Sequence, residues 1–310
     1  AIETEMRRIH SYSKEVASQI DSFIISQKNI ARFAVVNREL RDFLKNAGNP
    51  ATIPKFNSWL KFWSGISQHI DVVYVMDPQG VCIASTDSTF IGKDFSFRPY
   101  YKEAIQGRHY DSDWTVGTTS KKPGVYLSSP ILVSSGRIVG VLVIKLDTTP
   151  IDSIIRRSFD RSVQAFVVNN AGVLLAHYDP ALRYSTIGDL NPDESAAIRK
   201  TKQFAEIPQP SLKLASLRRD VSDARPGETH TSSEYQFQGT RKIAALTGMN
   251  SKNWVVGITV PFTSIEASAN RLLYSFIPLI LLVLLFTVFS AFYVSRYIVR
   301  PLGDLLQKST

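Results

Sequence analysis

Residues 72–85 read VVYVMDPQGVCIAS, residues 165–176 read AFVVNNAGVLLA, and together these stretches decide the fold. Each is an apolar strand, a turn and a second apolar strand, the pattern of an antiparallel hairpin. Asp77, Pro78, Gln79 and Gly80 make the first turn, and Asn169, Asn170, Ala171 and Gly172 make the second. The likeness extends outward. GVLVIKLDTTPI at 140–151 matches WVVGITVPFTSI at 254–265, each an apolar strand running into Thr-x-Ile and a helix start. Segments 124–132 and 138–146 add two strands around Ser134, Ser135 and Gly136. Segments 235–237, 242–248 and 254–260 add a later antiparallel set. This internal repeat predicts an α+β chain with two antiparallel-sheet lobes.

Residues 1–47 read as one helix. Ile2, Met6, Ile9, Val16, Ile20 and Phe23 form a narrow apolar stripe, and no Pro or Gly precedes Gly48. At 1.5 Å per residue such a helix reaches roughly 70 Å. Two readings stay open: a helix packed along its own lobes, and a stalk that pairs with a second copy in a homodimer. Residues 205–233, rich in Pro, Ser and charge, read as an exposed excursion of the second lobe.

Residues 272–294, LLYSFIPLILLVLLFTVFSAFYV, are 23 residues without a charge. Crossing a bilayer takes roughly 20. A transmembrane helix over 271–295 is predicted, and Arg296, Arg300 and Lys308 after it favour a cytoplasmic C-terminal side. Residues 1–270 are then periplasmic, and an export signal or first span is expected ahead of Ala1. Beyond the span, YVSRYIVRPLGDLLQKST restarts a helical stripe at Pro301 with Leu302, Leu305 and Leu306. It resembles the opening of a HAMP linker, the two-helix relay of bacterial receptors.

Composition narrows the function. One cysteine, Cys82, excludes an internal disulfide and a cysteine-based zinc site. The net charge is +9, but Lys and Arg are scattered, which speaks for anionic ligands and against nucleic acid. The five histidines lack metal-ligand spacing, and neither a phosphate loop nor a nucleophile elbow is present. No catalytic residue, metal or cofactor is expected, and residues 1–310 are not read as an enzyme.

Polar detail concentrates in IGKDFSFRPYYKEAIQGRHYDSDWTVGTTSKKPGVYLSSPI at 91–131. Alternation puts Val125, Leu127 and Ile131 on one strand face and Tyr126 and Ser128 on the other. In the next strand Val141, Val143 and Lys145 share a face. Arg98, Tyr100, Thr118, Thr119, Ser120, Tyr126, Ser128 and Lys145 are donors or cations with few carboxylates among them. Such a set suits a carboxylate, and two cations suit a dicarboxylate. Other roles stay open: Arg98 paired with Asp94 or Glu103, Lys145 paired with Asp111 or Asp113, Tyr100 and Tyr101 as core, and Thr118, Thr119 and Ser120 as a plain turn. Asp147 reads as a helix cap. His177, Asp179, Arg183 and Tyr184 read as a turn docking the second lobe on the stalk.

DFSFRPYY, WTVGTTSKKPGVYLSSPI and GVLVIKLD resemble the membrane-distal lobe of double Cache (tandem PAS-like) extracytoplasmic sensors, most narrowly the C4-dicarboxylate sensor histidine kinases. LLAHYDPALRYSTIGDL at 174–190 resembles their second lobe. The resemblance implies a stalk helix at 1–48, a ligand-binding lobe at 49–152, a membrane-proximal lobe at 153–270, the span at 271–295 and the linker start at 296–310. It implies a missing cytoplasmic output domain, a histidine kinase or diguanylate cyclase. Amino-acid-binding members place an aspartate near the position of Lys145, so lysine there argues against amino acids. The rival expectations are a chemotaxis-type receptor for another metabolite and a periplasmic protein-interaction ectodomain without a small ligand.

Overall fold

The computed structural model describes residues 2–45, 53–157 and 163–294, apart from the side chains of 2, 53, 265–276 and 293–294. Helices α1 (Ile2–Val35), α2 (Arg38–Lys45) and α3 (Ile53–Gly65) lead into the first lobe. Its elements are β1 (Ile70–Met76), β2 (Cys82–Ser85), α4 (Pro99–Ala104), β3 (Tyr110–Asp111), β4 (Thr115–Val116), β5 (Pro123–Leu132) and β6 (Ile138–Leu146). After α5 (Thr149–Arg156) come β7 (Gln164–Asn169), β8 (Leu174–His177), α6 (Pro192–Thr201) and α7 (Ala215–Ser222). Then follow β9 (Thr229–Thr231), β10 (Tyr235–Phe237), β11 (Thr240–Gly248), β12 (Trp254–Pro261) and α8 (Phe262–Val294).

The strands form two antiparallel sheets, ordered β2-β1-β6-β5-β3 and β8-β7-β12-β11-β10, with β4 paired to β5 and β9 to β11. The four leading strands of each sheet correspond one to one, so the repeat in the sequence is a repeat in topology. One face of each sheet packs on the N-terminal helices. Val125, Leu127, Ile131, Leu142 and Ile144 lie in that core, as do Val167, Ala245 and Val256 of the second lobe. The opposite faces carry separate clusters, around Tyr74, Phe90 and Tyr126 in the first lobe and Phe166, Leu217 and Leu246 in the second.

The apolar stripe of α1 is spent inside this chain. Ile9, Val16, Ile20, Ile24 and Ala34 are fully buried against the sheets. Two polar residues on the stripe are satisfied by the second lobe. Ser13 shares a hydrogen bond with the Thr247 hydroxyl (2.7 Å), and Asp21 accepts from the Asn250 and Ser251 amides (2.9 Å each). Of the two open readings, packing along its own lobes therefore accounts for this stripe. The helix is also shorter than expected. It stops at Val35, and Asn37 starts α2 by accepting the Glu39 amide on its side chain (2.8 Å). The stretch expected to be an exposed excursion contains α7, whose Leu217 and Val221 are buried.

The uncharged run at 272–294 lies wholly within the 33-residue α8. Among the described residues no helix is long and apolar enough to cross a membrane. The described side chains there cover only 277–292, fewer residues than the roughly 20 a span requires. Within them every large apolar side chain is exposed, Leu285 by 71 %. The expected linker start at 296–310 lies outside the described residues.

Candidate functional site

The site grows from the pairing of β5 with β6. Their register sets Tyr126 opposite Lys145 and Ser128 opposite Val143. Since side chains alternate, Lys145 emerges beside Tyr126 on the face turned away from α1. Two glycines let the loop 117–124 close onto that face. A Cβ on Gly124 would stand 2.7 Å from Lys145 Cε, and one on Gly117 would stand 2.8 Å from the Tyr126 hydroxyl.

Lys145 is fully buried. Its ammonium pairs with the Asp71 carboxylate and donates to the Ser120 hydroxyl at 3.1 Å. Arg98, only 3 % exposed, precedes Pro99 at the start of α4. Its guanidinium donates to the backbone carbonyls of Thr201 (3.0 Å) and Lys202 (3.2 Å), and more weakly to the Thr118 hydroxyl (3.4 Å). Those carbonyls belong to the last turn of α6 in the second lobe, where Lys202 caps the helix in a left-handed conformation. The other end of α6 carries a capping box between Asn191 and Glu194. We expect Asn191→Ala to cost about 1 kcal/mol, read as a lower thermal midpoint that Asn191→Asp restores.

The aromatic wall is continuous. The Tyr100 ring stacks on Tyr126 at 5.0 Å, and the Tyr74 hydroxyl donates to that of Tyr100 (2.8 Å). Ser128 donates to the Tyr100 carbonyl (2.7 Å), fixing α4 on the sheet. Burial pushes the Tyr100 phenol up to about 12 and raises that of Tyr126 as well. Both remain neutral donors at physiological pH. Burial likewise pushes the Cys82 thiol to about 12, which leaves it unreactive. Thr119 lies half-buried in the turn with Thr118 and Ser120. Among the described residues it makes no hydrogen bond to the others of the set. No group of three or more His, Cys, Asp or Glu side chains among the described residues is placed to hold a metal ion.

The internal partners differ from those considered from sequence. Glu103 binds Arg108 (2.7 Å) and Asp94 accepts the Ser96 amide (2.7 Å), so neither takes Arg98. Asp111 binds Lys28 (2.8 Å) and Lys252 (2.6 Å). Asp113 gathers donors from across the lobes: Trp254 Nε1 (2.5 Å), Gln203 Nε2 (2.8 Å) and Asn169 Nδ2 (3.0 Å). The partner of Lys145 is Asp71, which sequence reading missed. It sits where the β1–β6 register shifts between Ile70 and Val72. Its signal was an aspartate at the mouth of an apolar strand. Asp147 stands one residue ahead of Thr148, the N-cap of α5, and accepts the Thr149 amide (3.1 Å) and hydroxyl (2.9 Å), so it braces the turn into the helix without being its cap. The turn bearing Arg183 and Tyr184 docks on α5 through Asp152 and touches Trp114 of the first lobe (3.5 Å).

Arg98 and Lys145, less Asp71, leave one net positive charge on this buried face. Such a set suits an anion, through charge-assisted hydrogen bonds with neutral phenols and hydroxyls beside them. Arg98 also joins this face to the end of α6 in the second lobe.

Comparisons with known proteins agree with this architecture. The Cache domain family matches residues 1–269. The chain is 29 % identical over 234 residues to the C4-dicarboxylate transport sensor protein DctB of Pseudomonas aeruginosa. That alignment covers 73 % of this chain, which spans about a third (34 %) of the relative's length. The crystal structure of the V. cholerae histidine kinase DctB sensor domain superposes with a TM-score of 0.70 at 23 % identity, covering 84 % of this chain and 98 % of that one. The ligand-binding domain of the Campylobacter jejuni chemoreceptor Tlp3, solved with 4-methylisoleucine, superposes with a TM-score of 0.60 at 13 % identity, covering 85 % and 93 %.

Proposed function

The chain belongs to the Cache domain family, and from that premise we propose that it is the extracytoplasmic ligand-sensing part of a membrane signalling receptor, with a C4-dicarboxylate-like ligand held in the first lobe. The observation that carries this reading is the pair of buried cations, Arg98 and Lys145, on one sheet face among neutral hydroxyl donors. One carboxylate takes Arg98, whose fork suits it bidentately. The second reaches Lys145, and the Asp71 side chain, 29 % exposed, turns to water as it is displaced.

Binding and signalling then share a group. A ligand that captures Arg98 competes with the Thr201 and Lys202 carbonyls and so alters how α6 is held. Ligand affinity that differs between the two lobe arrangements supplies the free energy of the signal. The second lobe passes it on directly, because β12 runs into α8 without a break. In this reading residues 271–295 span the inner membrane, supported by the 23 uncharged residues, and 296–310 open a HAMP linker to a kinase or cyclase. A homodimer would use the outward face of α1, where Ile25 and Phe33 are exposed.

One observation favours a second reading. Asp71 beside Lys145 offers an acceptor for an ammonium, so Arg98 and Asp71 together fit an α-amino acid, the ligand class of the Tlp3 complex. Asp71→Asn separates the two in calorimetric titrations. On the dicarboxylate reading it frees Lys145 and strengthens succinate binding, by roughly tenfold if it is worth about 1.4 kcal/mol. A loss of binding confined to amino acids instead establishes the second reading.

A further inference from the structure

Where α6 ends, the second lobe lays a short strap, residues 201–205, on the first lobe. Its backbone is held in a costly shape. Lys202 (φ 49°) and Ala205 (φ 52°) both take the left-handed conformation although neither is glycine. That conformation is disfavoured for any residue with a Cβ, and it persists only where the surroundings enforce it. The Lys202 carbonyl accepts the Ala205 amide at 3.2 Å, which closes the strap on itself.

The anchors that enforce it come largely from the first lobe. The Gln203 side chain donates to the Asp113 carboxylate (2.8 Å) and to the Trp114 carbonyl (3.1 Å). The Gln203 carbonyl accepts the Val116 amide at 2.7 Å. Phe204 is fully buried, its ring centre 5.4 Å from that of Tyr184. Held this way, the Thr201 and Lys202 carbonyls both meet Nη1 of Arg98. Val116 leads straight into the loop 117–124, which brings Ser120 to Lys145. The strap therefore touches both the arginine of the first-lobe site and the root of the loop that closes it.

We infer that the strap is an internal competitor for the first-lobe site: its two carbonyls occupy Arg98 in place of a ligand carboxylate, and the ligand binds as the strap lets go. The inference rests on the dicarboxylate reading of the first lobe and adds the element that sets its affinity. Only molecules with the strap released are competent, so the apparent affinity is reduced by that fraction. A carboxylate displaces the carbonyls because it brings a full charge to the guanidinium, where they bring only dipoles. The left-handed turn relaxes as its anchors loosen, which favours release. Because Gln203 and Val116 part together, occupancy of the first lobe is felt in the second as a loosened end of α6.

The test is calorimetric titration of the 310-residue chain with succinate, beside amide hydrogen exchange of residues 199–206. Gln203→Ala removes the anchor on Asp113. It raises succinate affinity by roughly three- to tenfold, and its residues 199–206 exchange faster without ligand. Ala205→Gly acts in the opposite direction. Glycine adopts the left-handed turn freely, and that relief outweighs its extra freedom in the released strap. The strap then holds more firmly, and affinity falls by roughly two- to fivefold. In the wild type, saturating succinate speeds exchange in 199–206. Succinate affinities that agree among the wild type and both variants overturn the inference and leave the dicarboxylate reading standing. Exchange in 199–206 that stays unchanged or slows on saturation overturns it as well. Absence of succinate binding in both the wild type and Gln203→Ala removes the reading and the inference together.

Discussion

Arg98→Ala lowers succinate affinity by roughly 10- to 150-fold, because hydrogen bonds to a charged group contribute about 1.5–3 kcal/mol and each 1.4 kcal/mol is tenfold. Among the described residues no carboxylate binds Arg98, whereas Lys145 has Asp71. Its present acceptors are two backbone carbonyls and a hydroxyl, weaker partners than a carboxylate. Arg98→Lys retains the charge but not the planar fork, and is expected to bind between the two. The variant also loses two bonds to α6, so its ligand-free stability falls modestly. Calorimetry gives affinity and denaturation gives stability, which keeps the two effects apart. Unchanged succinate affinity in Arg98→Ala would move the ligand to another part of the molecule.

Trp254→Ala is expected to destabilise the chain by about 3–5 kcal/mol, the cost of truncating a fully buried tryptophan. Trp254 opens β12 and is buried at the junction of the lobes. Its ring meets Trp114 of the first lobe at 6.0 Å, and its Nε1 donates to Asp113. Around it, Lys252 donates to the carbonyls of Asp111 (3.2 Å) and Ser112 (2.6 Å), and the Val116 amide donates to the Gln203 carbonyl (2.7 Å). Truncation leaves Asp113 with fewer donors and opens a cavity in the seam. Urea denaturation followed by tryptophan fluorescence measures the loss. A change under 1 kcal/mol would mean that the lobes do not depend on this seam.

The hairpins were legible because short apolar runs flanking turn residues encode them locally. Alternation grouped Tyr126 with Ser128 along β5 and Lys145 with Val141 and Val143 along β6, and the register between the two strands, which sets Tyr126 opposite Lys145, came only with the fold. What escaped was set by distance along the chain. Arg98 meets carbonyls about a hundred positions later, and no local pattern announces that. Asp71 sits one residue ahead of the strand as read, in a register shift that periodicity does not encode. The stripe on α1 told that one face is buried but not by what, and the lobes of the same chain cover it. No Pro or Gly marks the end of α1; a single Asn37 cap does. Charged composition hid α7, which buries only Leu217 and Val221.

The most direct test is thermal denaturation of the 310-residue chain against succinate, malate and fumarate, beside a set of α-amino acids. At one hundred times its dissociation constant a specific ligand stabilises by about 2.7 kcal/mol, a clear rise in midpoint. The account predicts that rise with the dicarboxylates, and its loss in both Arg98→Ala and Lys145→Ala. No rise with any dicarboxylate, or a rise that both variants retain, would contradict it.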